Sequence, residues 1–159
     1  MISKPLLIAV LTLALTPAAM AAGSRSTSRP PAAPTAQPTD YELGVKAVRA
    51  GDYQRAGVLL QRVVRAEPRN ADAWNYIGFS HRKLRQFDQS LVAYRKALAI
   101  DPDHRGANEY LGELYVMTGE LGKAEEQLAK LQSLCPRGCE EYDDLKKAVE
   151  TSRSARKKN

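Results

Sequence analysis

Two cysteines, two histidines and a few adjacent acids are the residues of this chain best suited to chemistry. Cys135 and Cys139 fall in the stretch SLCPRGCEEYDDL, with Pro136 and Gly138 between them. Thiols at this distance can cycle as a redox pair, hold a soft metal ion, or close a short disulfide staple. A redox motif of the thioredoxin type carries two residues between its cysteines, whereas this pair carries three. Haem attachment requires a histidine directly after the second cysteine, and Glu140 stands there. A metal needs ligands beyond two thiolates, and His81 and His104 are the only histidines. His81 is expected at a packing position and His104 in a solvated turn. The acid pairs Glu125–Glu126 and Asp143–Asp144 read as exposed helix faces. With neither a Ser/His/Asp set nor a glycine-rich phosphate loop, no enzyme activity, metal or cofactor is expected.

The compartment bears on the thiols. Lys4 precedes the apolar run LLIAVLTLALT, followed by Pro17 and the small-residue pattern Ala19-Met20-Ala21. This has the form of a signal peptide over residues 1–21. The run is about half the ~20 residues that a membrane-spanning helix requires, so no permanent anchor is expected. Export to a bacterial periplasm or beyond is an oxidising destination, where a short disulfide between Cys135 and Cys139 is the plain expectation. Residues 22–38 are rich in Pro, Ser, Thr and Ala and read as a disordered linker.

The formal net charge of +6 is unevenly distributed. Removing Lys4, Arg25, Arg29, Arg153, Arg156, Lys157 and Lys158 from the 24 basic residues leaves 17 against 18 acids in residues 40–150. The body is near neutral, which argues against a nucleic-acid reader. Residues 153–159 read as a basic disordered tail.

The organisation follows from an internal repeat. Gly44, Gly78 and Gly112 are 34 residues apart, as are Pro68, Pro102 and Pro136. The same offset links Tyr53, Phe87 and Leu121, then Ala56, Ser90 and Ala124, then Leu60, Tyr94 and Leu128. Each unit reads as two helices. In the middle unit Trp74, Ile77, Gly78 and His81 share one face, while Leu91, Tyr94, Ala97 and Leu98 share another. Gly78 and Ser90 are expected where the helices cross, because small residues let the axes approach. The sequence therefore predicts units over about 37–70, 71–104 and 105–138. A capping helix follows over 139–151, with an apolar stripe of Tyr142, Leu145 and Val149.

Trp74, Ile77-Gly78, His81, Ser90, Tyr94, Ala97 and Pro102 resemble the tetratricopeptide repeat signature. The resemblance implies an all-α, right-handed solenoid of three hairpins plus the capping helix, over residues 39–152. It also implies a concave groove, lined by the first helix of each hairpin, that takes a peptide segment or helix of a partner. The groove positions carried over are Tyr41, Val45 and Arg49, then Asn75, Phe79, Arg82 and Lys83, then Glu109 and Glu113. This groove would be aromatic and basic in the middle and acidic toward the third repeat. Phe79 is the expected anchor. The lysines and asparagines that clamp a C-terminal carboxylate in chaperone-binding relatives are missing, since Tyr41, Val45, Tyr76 and Gly106 stand there. The ending Cys-Pro-x-Gly-Cys-Glu-Glu-Tyr resembles that of exported bacterial tetratricopeptide proteins, which points to another envelope protein as partner.

Two other functions stay open at this point. Cys135 and Cys139 could serve thiol-disulfide exchange or metal delivery. The unit charges, which fall from +2 through +1 and −1 to −3 at the cap, could favour weak head-to-tail self-association.

Overall fold

The computed structural model describes residues 37–158, and the expected signal peptide and nearly all of the linker lie outside them. The described residues form seven helices and no strand: α1 (Asp40–Arg49), α2 (Tyr53–Ala66), α3 (Ala71–Lys83), α4 (Phe87–Ile100), α5 (Arg105–Met117), α6 (Leu121–Leu134) and α7 (Glu140–Lys158). None of these helices is long and apolar enough to cross a membrane.

Local chemistry sets the helix ends. Thr39 and Glu42 form a capping box at α1, while Asp52 and Asn70 cap α2 and α3 through their side chains. The corners inside the three hairpins share one geometry. Gly51, Arg85 and Gly119, again 34 apart, adopt φ of 77°, 60° and 82°. The next amide reaches back five residues in each case: Asp52 to Ala47 at 2.9 Å, Gln86 to His81 at 2.9 Å, Glu120 to Tyr115 at 2.8 Å. These are Schellman turns, and Arg85 occupies a left-handed position where its counterparts are glycine.

Between hairpins the repeat survives a change of residue. Trp74 donates its indole N–H to the Pro68 carbonyl at 3.0 Å. Asn108, which replaces that tryptophan 34 residues on, donates its Nδ2 to the Pro102 carbonyl at 3.2 Å. Both side chains tie the start of a hairpin to the turn before it.

The helices lie in two layers. The backbone of α1 closely approaches α3, that of α3 approaches α5, and that of α5 approaches α7, whereas the backbones of α2, α4 and α6 stay farther from one another. The first layer is thus the tighter, inner wall of a curved stack, as expected for a solenoid. Two clusters fill the interior, one around Leu60, Val63 and Ile77, the other around Tyr94, Leu114, Leu131 and Leu145. The glycines permit the crossings. A Cβ on Gly78 would lie 2.5 Å from the Tyr94 ring, and Ser90 donates its hydroxyl to the Gly78 carbonyl at 2.8 Å.

The third hairpin departs from the pattern. A Cβ on Gly112 would meet Leu145 of α7 at 2.4 Å rather than the periodic counterpart Leu128. Leu145 and Val149 are fully buried, so α7 docks against α5 as well as α6. It also runs past the expected end at residue 151. Arg153 pairs with Glu125 at 2.8 Å and Arg156 donates to the Gly119 carbonyl, which correct the reading of a loose basic tail. The disordered-tail expectation failed because it weighed composition alone, and composition does not show these docking partners.

Candidate functional site

The inner wall carries two features, a caged arginine and an acidic pocket. Arg82 of α3 is 6% exposed. Its Nη2 lies 2.6 Å from Glu113 Oε2 and its Nε donates to the Tyr94 hydroxyl at 3.3 Å. The guanidinium carbon sits 5.3 Å from the ring centroids of both Phe79 and Tyr110. A cation so enclosed is neutralised within the fold. The expected basic middle of the groove is therefore reduced, on α3, to Lys83, which is exposed and stands 5.1 Å over the Phe79 ring.

Phe79 is half-buried, packed against Tyr53 at 6.0 Å and Tyr110 at 5.0 Å between centroids. It belongs to an aromatic row that includes Tyr94. Tyr41 on α1 reaches Tyr76 on α3 edge-on at 6.3 Å. Val45 is half-buried and Arg49 exposed, and neither lines the pocket nor enters the Arg82 cluster.

The pocket, of about 330 Å³, lies among α3, α5 and α7. Asp72, Asn75 and Tyr76 come from α3, Glu109 and Tyr110 from α5, and Glu140, Glu141 and Asp144 from α7. Asn75 is 5% exposed and its Oδ1 has no hydrogen-bond partner among the described residues. Glu109 is buried, and the described residues offer its carboxylate no ion pair. Burial, with Glu113, Asp144 and Glu141 nearby, pushes its pKa up to about 8 against a smaller lowering by Arg82. Tyr110 is raised to about 12, chiefly by burial and then by Glu109.

Two corrections concern the histidines. His104 is not merely solvated: its Nδ1 accepts from the Ala107 amide at 3.1 Å, capping α5, and its Nε2 lies 3.0 Å from Asp72. His81 is half-buried rather than core, with Nδ1 2.6 Å from Gln86 Oε1. Among the described residues no three His, Cys, Asp or Glu side chains converge closely enough to hold a metal ion. Cys135 and Cys139 lie together at the corner before α7, their Cα atoms 6.0 Å apart.

Of the residues read from sequence, the structure gathers Phe79, Arg82, Lys83 and Glu113 into one cluster, and Asn75 with Glu109 into the pocket. Tyr110, Glu141 and Asp144 were missed. The acids were legible as the polar face of α7, but nothing in their spacing reveals which helix they face.

Family models described as "Tetratricopeptide repeat" match residues 41–78 and 71–104. The chain carries tetratricopeptide repeats. Tetratricopeptide repeat protein 37 of Xenopus laevis is 41% identical over 69 residues, which span 43% of this chain and 4% of that protein. The match thus spans a small fraction of this much longer tetratricopeptide relative. Among solved structures, the first tetratricopeptide domain of Spaghetti (RPAP3) bound to the HSP90 peptide SRMEEVD superposes with a TM-score of 0.64 at 20% identity. It covers 70% of this chain and 89% of that one. PcrH in complex with the chaperone binding region of PopD gives 0.64 at 18% identity, covering 74% and 90%. At such identities the likeness shows the tetratricopeptide solenoid fold and nothing finer.

Proposed function

We propose that the chain is an exported adaptor that holds a peptide segment or helix of a partner protein against the inner wall of α1, α3, α5 and α7, without catalysis of its own. The observation that carries this reading is the wall itself. It presents half-buried Tyr41, Tyr76, Phe79 and Tyr110 beside an acidic pocket, so apolar contact and polar recognition lie on one surface. The superposable Spaghetti and PcrH domains, each in complex with a partner segment, support it. Tyr41, Val45, Arg49, Asn75, Phe79, Lys83, Glu109 and Glu113 are the proposed contact residues, with Arg82 supporting Phe79 from behind. Residues 1–21 direct the chain out of a bacterial cell, the partner is another envelope protein, and the bond between Cys135 and Cys139 fixes α7 on the last hairpin. Thiol titration of the exported protein checks that bond: no free thiol is expected, and two would overturn it.

The adaptor reading is tested by photo-crosslinking in cells. A photoreactive residue is placed at Val45 or Lys83 on the inner wall, or at exposed Val92 on α4 of the outer layer. The same protein should be captured from both inner positions, with the outer one silent and capture lost in Phe79→Ala. Capture from Val92 alone would overturn the reading.

A further inference from the structure

We infer that the pocket among α3, α5 and α7 is a receptor for a basic side chain, an arginine of the segment lying on the inner wall, so that the adaptor selects partners by a cation rather than by a terminal carboxylate. This rests on the groove reading above and specifies its ligand class.

The pocket lining is predominantly acidic, with His104 its one basic side chain. Asp72, Glu109, Glu141 and Asp144 supply carboxylates, and Asn75 Oδ1 supplies a buried acceptor with no donor to satisfy it. A buried acceptor left unpaired carries a desolvation cost that an incoming N–H group removes. Arginine carries five N–H donors and no acceptor, in a planar fork that suits several acceptors at once. The walls add the aromatic ring of Tyr76, which favours a nearby cation, and Tyr110, which already carries Arg82 over its ring.

Two of the acids already have company. Arg105 lies 3.5 Å from Glu141 and His104 lies 3.0 Å from Asp72. Of the partnered acids Asp72 is exposed and Glu141 half-buried, whereas Glu109, 7% exposed, and the exposed Asp144 have no such counter-ion among the described residues. The carboxyl groups left free for an incoming cation are therefore Glu109, which shares the pocket with Asn75, and Asp144. The acids are too dispersed to converge on a metal ion, but the volume of about 330 Å³ accommodates a guanidinium with its stem. The raised pKa of Glu109 expresses the same imbalance, since a bound cation would stabilise its ionised form.

The test uses the full chain. Random peptides are selected on it, and each binder is remade with arginine replaced by citrulline, which has the same shape and no charge. Binding is then measured against wild type, Glu109→Gln, Asp144→Asn and Phe79→Ala, with melting temperatures alongside. The inference expects binders that contain arginine. It expects a loss of roughly tenfold or more on citrulline replacement and a similar loss with Glu109→Gln at an unlowered melting temperature. The amide signals of Asn75 should shift with the arginine peptide and stay in place with its citrulline form. Peptides that bind, lose affinity in Phe79→Ala and ignore the citrulline replacement would overturn the inference and leave the groove reading standing. Peptides indifferent to Phe79→Ala, Glu109→Gln and Asp144→Asn alike would overturn both. Retained affinity in Glu109→Gln and Asp144→Asn, with charge still required, would place the cation elsewhere and overturn the inference alone.

Discussion

The Arg82 guanidinium and the Glu113 carboxylate approach to 2.6 Å across the α3–α5 step, with the arginine side chain 7% exposed and the glutamate 26%. This pair links two successive hairpins, and the arginine completes its shell with Tyr94, Phe79 and Tyr110. Removing one member strands the other. Glu113→Ala should cost about 2 kcal/mol, and Arg82→Ala about 3 kcal/mol because packing is lost as well. The double variant should cost less than the sum by at least ~1 kcal/mol in a urea-unfolding cycle. Strict additivity would show that the two charges are energetically independent.

Glu109 gives the fold a pH dependence with a defined sign. Its carboxyl holds a proton more tightly folded than unfolded, because its pKa rises from 4.5 to about 8. The folded state then binds more protons between those values, so this group's contribution to stability is present below the unfolded pKa. It is lost as pH climbs to about 8. The melting temperature should fall between pH 6 and pH 9 more in wild type than in Glu109→Gln, with a stable amide in place of the titrating acid. Identical slopes in the two proteins would show that Glu109 does not titrate in this range.

Two helical glycines should respond to alanine with opposite signs. A Cβ on Gly57 of α2 meets nothing within 4 Å, so Gly57→Ala should add about 0.5 to 1 kcal/mol through lower unfolded-state entropy. A Cβ on Gly78 would press the Tyr94 ring at 2.5 Å, and that ring is fully buried. Gly78→Ala should cost about 1 to 3 kcal/mol by overpacking. Chemical denaturation of both variants checks the contrast.

Arg85 is the one corner residue of its kind that is not glycine, with φ of 60° where Gly51 and Gly119 have 77° and 82°. Arg85→Gly relieves a left-handed conformation that costs an L-residue about 1 kcal/mol or more, less the entropy that glycine adds to the unfolded chain. A net gain of about 0.5 kcal/mol is expected in the denaturation midpoint. A loss would mean that the Arg85 contact with the Phe87 ring, 5.7 Å away, outweighs the backbone strain.

The amino-acid sequence alone determined the helical hairpins, their period and their crossings. A 34-residue repeat places equivalent residues in equivalent local environments, so glycine at a crossing and proline at a turn are readable without coordinates. Even the exchange of Trp74 for Asn108 preserves the bond to the preceding turn. Periodicity has no counterpart for contacts that end it. Leu145 entering the gap at Gly112 decided where α7 lies, and that docking carried Glu141 and Asp144 to Glu109. The burial of Arg82 was likewise a matter of neighbours from α4 and α5, 12 to 31 residues away in the chain. Helix type and spacing are local properties of the chain, whereas the charge that a surface finally presents depends on which side chains tertiary packing brings together.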